Sequence, residues 1–123
     1  MRPSADSGPL HDRRILVVED EYLMAEELRE ALEDAGAHVL GPAPTVDAAL
    51  RLLADGAAPD AAILDVNLGG ERSFPVADAL AARGVPFVFA TGYDAWALPL
   101  AYQGAQRCEK PVDMRAVRHA LFR

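Results

Sequence analysis

Four short, mainly apolar runs and a fifth, more polar one, each followed by a segment with helical character, limit the fold of this chain more than any other feature. The runs lie at 13–18, 37–40, 61–64, 86–90 and 105–109. Strands that are apolar throughout, rather than alternating, are typical of parallel strands buried on both faces. Their regular alternation with helices predicts an α/β domain built on a doubly wound, five-stranded parallel sheet with right-handed crossovers.

The segments between the runs carry the helix signals. Met24, Leu28 and Leu32 recur at helical spacing and predict a helix over 22–35, which Gly36 ends. A turn is predicted at 41–44, and a loop around the glycine pair that follows the third run. Further helices are predicted over 45–55, 75–83 and 112–122, with a short or irregular one over 94–103.

Length and charge limit the classes of protein to which this chain can belong. The 123 residues suit one domain, with a flexible leader over 1–12 and a folded domain over 13–123. The net charge is −7, and no cluster of Lys and Arg is present, which argues against nucleic acid as a direct partner. No segment approaches the roughly 18 apolar residues of a membrane span.

The single cysteine, Cys108, excludes an intramolecular disulfide and fits a reducing cytosol, so we expect a cytoplasmic protein. Cys108 lies inside the fifth run, where a small buried side chain is expected rather than a reactive thiol.

Polar side chains stand where four of the five runs end. Glu19 and Asp20 follow the first run, Asp65 the third, Thr91 the fourth and Lys110 the fifth. Parallel strands place all their carboxyl ends at one edge of the sheet, which is the edge where open α/β sheets bind ligands. We therefore expect these side chains to form one site.

The chemistry of these side chains is complementary. Three carboxylates brought together repel one another unless a cation neutralises them, and Mg²⁺ suits such oxygen ligands. Asp65 beside that ion is a candidate phosphoryl acceptor, since aspartate forms acyl phosphates. Thr91 offers a hydroxyl donor, and Lys110 a compact positive charge for a phosphoryl oxygen. Taken singly, Asp65 is also readable as a strand-end cap, Thr91 as a helix cap and Lys110 as a surface lysine.

The ordered set Asp20, Asp65, Thr91 and Lys110 resembles the response-regulator receiver family. Residues 15–21 read ILVVEDE and residues 63–68 read ILDVNL, similar to the acidic opening and the phosphoacceptor segment of that family. The resemblance implies the flavodoxin-like (βα)5 receiver fold with strand order 2-1-3-4-5.

The same resemblance implies a ligand set for the metal ion. Mg²⁺ would be held by Asp20, Asp65 and the backbone carbonyl of Asn67, with Glu19 contributing through water. It also implies a cis peptide bond between Lys110 and Pro111.

Two longer segments resemble a narrower group, the "FAT GUY" receivers. Residues 86–93 read PFVFATGY, and residues 67–75 read NLGGERSFP. Members of this subfamily are similar to small regulators of alphaproteobacterial signalling and often work with HWE-type histidine kinases, which the resemblance implies as the partner.

One position departs from the family pattern. Receivers ordinarily have Tyr or Phe three residues before the conserved lysine, where this chain has Arg107. The usual coupling of that aromatic to Thr91 is therefore not expected, and activation is predicted to reshape 93–104, with Tyr93 gating the acyl phosphate from water. Arg107 as a surface group and Tyr93 as a packing residue are the open alternatives.

These patterns predict a phosphoacceptor rather than an enzyme, and slow self-dephosphorylation is compatible with that role. The chain ends directly after the last predicted helix, so we expect a stand-alone regulator that binds another signalling protein or drains phosphoryl groups from a kinase. The alternative is a pseudo-receiver, an interaction module that is not phosphorylated. A phosphatase of the haloacid-dehalogenase type needs a second acid two positions after Asp65, where Asn67 stands.

Overall fold

The structure is a computed structural model that describes residues 10–91, 106–110 and 112–122; for Thr91 and Glu109 it describes the backbone. Seven strands lie in this part of the chain: β1 (Arg14–Val18), β2 (His38–Ala43), β3 (Ala61–Asp65), β4 (Asn67–Leu68), β5 (Glu71–Arg72), β6 (Phe87–Thr91) and β7 (Arg107–Glu109). The helices are α1 (Tyr22–Asp34), α2 (Val46–Ala54), α3 (Phe74–Ala82) and α4 (Met114–Leu121).

Five parallel strands form the main sheet, in the order β2-β1-β3-β6-β7. Because β6 and β7 are its fourth and fifth strands along the chain, the predicted order 2-1-3-4-5 is confirmed. Val18 pairs with Leu64, and Asp65 pairs with Ala90. This register sets the carboxyl ends of β1, β3 and β6 side by side.

The core lies in two layers, one on each face of the sheet. Leu16 and Leu64 point into the layer that α2 and α3 cover, whereas their chain neighbours Val17 and Ile63 point into the layer that α1 and α4 cover. Successive strand residues face opposite sides of a sheet, so apolar runs without alternation fill both layers. The doubly wound arrangement is thereby confirmed.

Strand β2 is longer than the sequence predicted. The turn expected at 41–44 was wrong for its first three residues, because the strand continues to Ala43 and the Ala43 carbonyl accepts a hydrogen bond from Glu19 N at 3.0 Å. The Gly41–Pro42 peptide bond is cis. Gly41 has φ +92°, and a Cβ there would lie 2.6 Å from the nitrogen of Ala43, so only glycine fits.

The loop expected around the glycine pair is instead a small hairpin of β4 and β5. Asn67 pairs with Arg72 and Leu68 with Glu71 in antiparallel register. The Gly70 N–H donates to Asn67 Oδ1 at 3.0 Å and closes the turn. Two-residue strands are too short to produce a periodic pattern in the sequence, which is why this hairpin was missed.

The described structure begins inside the predicted leader. Leu10 is fully buried in the layer beneath α1 and α4, and Asp12 N donates to the Gly36 carbonyl at 2.8 Å. Residues 10–12 therefore pack against the domain.

Some predictions fall outside the described residues: the irregular helix over 94–103, Tyr93 and the Lys110–Pro111 peptide bond. Among the helices that the structure does describe, none combines the length and the apolar character needed to cross a bilayer.

Replacing Leu32 by alanine should lower the free energy of unfolding by about 2–5 kcal/mol, because Leu32 is fully buried and the truncation leaves a cavity. Leu23 lies on the same helix and is 75% exposed, so Leu23→Ala should change stability by less than about 0.5 kcal/mol. Urea unfolding monitored by circular dichroism measures both. Equal losses in the two variants would contradict the described face of α1.

Candidate functional site

Three carboxylates meet at the carboxyl edge of the sheet. Glu19 and Asp20 follow β1, and Asp65 ends β3; carboxylate oxygens of all three lie within 4.8 Å of one another. Glu19 is only 4% exposed and Asp65 8%, whereas Asp20 is exposed. The residues at the strand ends predicted this convergence, and the parallel register produces it.

Lys110, directly after β7, reaches into this cluster. Its Nζ donates to Asp65 Oδ2 at 2.9 Å and lies 3.3 Å from Glu19 Oε1. Burial alone would lower the pKa of Lys110, but the hydrogen bond to Asp65 and the charges of both carboxylates outweigh it and raise that pKa. Lys110 is therefore a fixed positive charge at the site.

Burial has a clear effect on the pKa of Glu19. The pKa of Glu19 is raised from 4.5 to about 7, chiefly because burial removes water from its carboxylate. The Glu21 N–H, which donates to Glu19 Oε2 at 3.1 Å, lowers this pKa. The charge of Asp65 raises it, and the charge of Lys110 lowers it. One lysine does not offset three converging carboxylates. Burial and the neighbouring charge of Asp65 thus favour the protonated form of Glu19 more than in an exposed glutamate.

A small divalent cation fits this donor set. The cluster offers oxygen ligands only, which is the preference of Mg²⁺ over softer metals, and its negative charge is in excess of what Lys110 supplies. The residues present thus fit the ion that the sequence predicted.

The β4–β5 hairpin forms one wall of the site. Asn67 N donates to Asp65 Oδ1 at 3.3 Å, so the two oxygens of Asp65 are held separately by Asn67 and Lys110. A Cβ on Gly69 would lie 3.5 Å from Asp20 Oδ2, which sets the turn of the hairpin against the acidic cluster. Sequence reasoning missed the hairpin, although its glycine pair was the available signal.

The other predicted site residues are placed as follows. The backbone of Thr91 ends β6 opposite Glu109 in β7, at the same edge as Asp65. Arg107 begins β7, and its side chain is exposed. Cys108 is buried as predicted, and burial raises the pKa of its thiol.

The family of the chain follows from a match to a known protein family. Residues 15–122 match the family described as the response regulator receiver domain, so the match includes all three carboxylates and Lys110. The chain belongs to the response regulator receiver family. Receiver domains are phosphoacceptors in two-component signalling; they bind Mg²⁺ at an acidic pocket and work with sensor histidine kinases.

Curated relatives of this receiver include two longer proteins. It is 32% identical over 112 residues to the sensory transduction protein LytT of Bacillus subtilis, covering 88% of this chain and 46% of LytT. It is 30% identical over 92 residues to the transcriptional regulatory protein PdtaR of Mycobacterium tuberculosis, covering 74% of this chain and 44% of PdtaR. The chain thus spans less than half the length of these relatives.

Among solved structures, the receiver is similar to SdrG from Sphingomonas melonis Fr1, with a TM-score of 0.77 and 46% identity over 89% of this chain and 92% of that one. It is also similar to the BeF3-activated conformation of SdrG, described from Pseudomonas melonis Fr1, with a TM-score of 0.72 and 47% identity. That second match covers 87% of this chain and 91% of SdrG.

Proposed function

We propose that Asp65 accepts a phosphoryl group from a sensor histidine kinase. One observation carries the proposal: a nearly buried aspartate, in contact with Lys110 at 2.9 Å, lies within 4.8 Å of the oxygens of Glu19 and Asp20. This arrangement gives a carboxylate nucleophile, a fixed positive charge and a set of oxygen ligands for a cation at one edge of the sheet.

The transfer forms one bond and breaks one. An oxygen of Asp65 attacks phosphorus, the bond from phosphorus to the donor histidine nitrogen breaks, and that nitrogen keeps the electron pair. The product is an acyl phosphate on Asp65. The protein's part is to align the nucleophile and neutralise charge, which is how phosphoryl transfer is generally catalysed.

The residues around Asp65 would each have a separate role in this transfer. Asp20, Asp65 and the backbone carbonyl of Asn67 would hold Mg²⁺, with Glu19 acting through water, and the ion neutralises charge on the phosphoryl oxygens. Lys110 Nζ, now on Asp65 Oδ2, would turn to a phosphoryl oxygen as the acyl phosphate forms. Thr91 would supply a hydroxyl donor from the end of β6.

We also propose the subfamily and the mode of action of this response regulator. Residues 86–93 and 67–75, together with 46% identity to SdrG over most of both chains, support the FAT GUY subfamily and an HWE-type kinase. We propose a single-domain, cytoplasmic regulator that acts on another signalling protein or as a phosphate sink, without binding nucleic acid or membrane. Of the leader predicted over 1–12, residues 10–12 belong to the packed domain. Slow hydrolysis of the acyl phosphate would reset it.

Activation in this proposal does not use the ordinary aromatic switch. Arg107 stands at that position with an exposed side chain, so the added charge on Asp65 would reshape 93–104 instead. Tyr93 would then shield the acyl phosphate from water.

A surface for a protein partner adjoins the site. Tyr22 and Leu23, at the start of α1, are each 75% exposed and are the exposed large hydrophobic side chains of the described chain. The next residue along α1, Met24, lines a cavity of about 210 Å³ between α1 and the segment that leads into α4, together with Met114 and with Glu19 of the site. Exposed apolar side chains next to a reaction site are typical of protein contacts. We propose that the kinase docks here.

Asp65→Asn should abolish phosphoryl uptake, because an amide is not a nucleophile for phosphorus. Intact mass after incubation with Mg²⁺ and acetyl phosphate measures the adduct. The matched control is Asp47→Asn, whose carboxylate pairs with Arg51 on the exposed side of α2 and should leave uptake unchanged. A full adduct on Asp65→Asn would overturn the assignment, and no adduct even with a phosphorylated kinase would favour the pseudo-receiver.

Tyr22→Ala combined with Leu23→Ala should slow transfer from a histidine kinase at least tenfold while leaving uptake from acetyl phosphate unchanged. The small donor needs the site alone, whereas the kinase also needs the apolar contact. Transfer rates from a phosphorylated kinase, followed with radiolabelled phosphate, give the comparison. Equal slowing with both donors would mean that the two side chains serve the site rather than docking.

A further inference from the structure

Glu71 joins the hairpin that borders the phosphoacceptor site to the start of helix α2. The Val46 N–H donates to Glu71 Oε1 at 3.4 Å, between residues that are distant in sequence. Val46 is the first residue of α2, so its N–H is one of the donors at a helix start that have no partner within the helix. The carboxylate also places negative charge at the positive end of the helix dipole, which favours this contact.

The segment that enters α2 is tied to the other side of the site as well. The Ala43 carbonyl, at the end of β2, accepts a hydrogen bond from Glu19 N at 3.0 Å. Glu19 and Asp20 belong to the acidic cluster and directly follow β1. Residues 43–46 therefore contact both chain segments that border the cluster, the one after β1 and the hairpin.

Contacts between the hairpin and the carboxylates complete a closed ring. Asn67 N donates to Asp65 Oδ1 at 3.3 Å, and a Cβ on Gly69 would lie 3.5 Å from Asp20 Oδ2. The ring runs from the carboxylates to the end of β2 and the start of α2. It returns through Glu71 and the hairpin to the carboxylates.

Apolar packing beneath the Glu71 contact makes this link stiff. Leu68 pairs with Glu71 across the hairpin and is 5% exposed, and Val46 is 7% exposed. Both lie in the apolar layer that α2 and α3 cover. Because close-packed interiors transmit small displacements, a shift of the hairpin should be felt at α2, and the reverse.

We propose that Glu71 is a positioning residue for the cation site. It would hold the β4–β5 hairpin, and with it the carbonyl that Asn67 would offer to Mg²⁺, against the acidic cluster. This inference rests on the Mg²⁺ site of the proposed function. Mg²⁺ demands near-ideal geometry from its ligands, and metal affinity commonly depends on the groups that hold those ligands in place. Glu71 acts through its hydrogen bond to Val46 and not as a ligand.

The test compares the Mg²⁺ affinity of the full chain with the affinities of Glu71→Ala, Glu71→Gln and Thr45→Ala, by isothermal titration calorimetry without a phosphodonor. Glutamine keeps an acceptor oxygen for Val46 N and loses the charge. Thr45→Ala is the matched control, because Thr45 Oγ1 accepts a hydrogen bond from Ala48 N at 3.0 Å and caps the same helix from its own segment. Far-UV circular dichroism checks that each variant is folded.

The reverse effect gives a second measurement. Coupling between two sites acts equally in both directions, so Mg²⁺ binding should perturb the hydrogen bond at the start of α2. In ¹⁵N-labelled protein, Mg²⁺ should shift the amide resonance of Val46 in wild type and in Glu71→Gln, and clearly less in Glu71→Ala. An equal shift in all three proteins would overturn the proposed link.

Glu71→Ala should bind Mg²⁺ at least about fivefold more weakly than wild type, whereas Glu71→Gln and Thr45→Ala should stay within about twofold. Equal weakening in both Glu71 variants would mean that the charge acts directly. Equal weakening in Glu71→Ala and Thr45→Ala would mean that any loosening of α2 disturbs the site. Either result, or unchanged affinity in Glu71→Ala, would overturn the role of Glu71 alone.

A failure of the proposed function would look different. Normal Mg²⁺ binding without any phosphoryl adduct on wild type would contradict the phosphoacceptor role, while the calorimetric comparison of the variants would still decide the role of Glu71. Absence of Mg²⁺ binding to wild type would overturn both.

Discussion

The burial of two carboxylates beside a single lysine is the interaction on which the rest of this site depends. Glu19 and Asp65 are both more than nine-tenths buried, and Lys110 contacts both. Buried charge is costly unless it is paired, and with Asp20 alongside the negative charge is in excess. Burial, with a smaller contribution from the charge of Asp65, raises the pKa of Glu19 to about 7. A bound cation would offset this excess, whereas a phosphoryl group adds negative charge that the cation and Lys110 would have to balance together.

The fold creates this situation through strand register. Parallel pairing of β1, β3, β6 and β7 brings the residues that follow them to one edge, and the short β4–β5 hairpin closes it from the side. That hairpin holds Asp65 through Asn67 N, and its Glu71 accepts a hydrogen bond from Val46 N at the start of α2 at 3.4 Å. Asp65 is thus linked through the hairpin to α2, one of the helices that cover the sheet.

Much of this architecture follows from local sequence pattern. The apolar runs predicted the sheet and its two-layer core, and the residues after those runs predicted the meeting of Asp65 with Lys110, because parallel register leaves no other edge for them. Three features did not follow. Strand β2 runs through Gly41 and Pro42 because of pairing with β1, the hairpin strands are two residues long, and Leu10 is buried by distant contacts. Each depends on tertiary partners that a local pattern does not contain.

The most direct test of the account is the amide spectrum of the ¹⁵N-labelled protein with Mg²⁺, before and after addition of beryllofluoride as a phosphoryl mimic. The account predicts large, saturable chemical-shift changes at the amides of Asn67, whose N–H donates to Asp65, and of Gly69 and Lys110. These changes should occur only when Mg²⁺ is present. An unchanged spectrum, or shifts confined to residues away from the carboxyl edge of the sheet, would contradict the assignment of Asp65 as the phosphoacceptor.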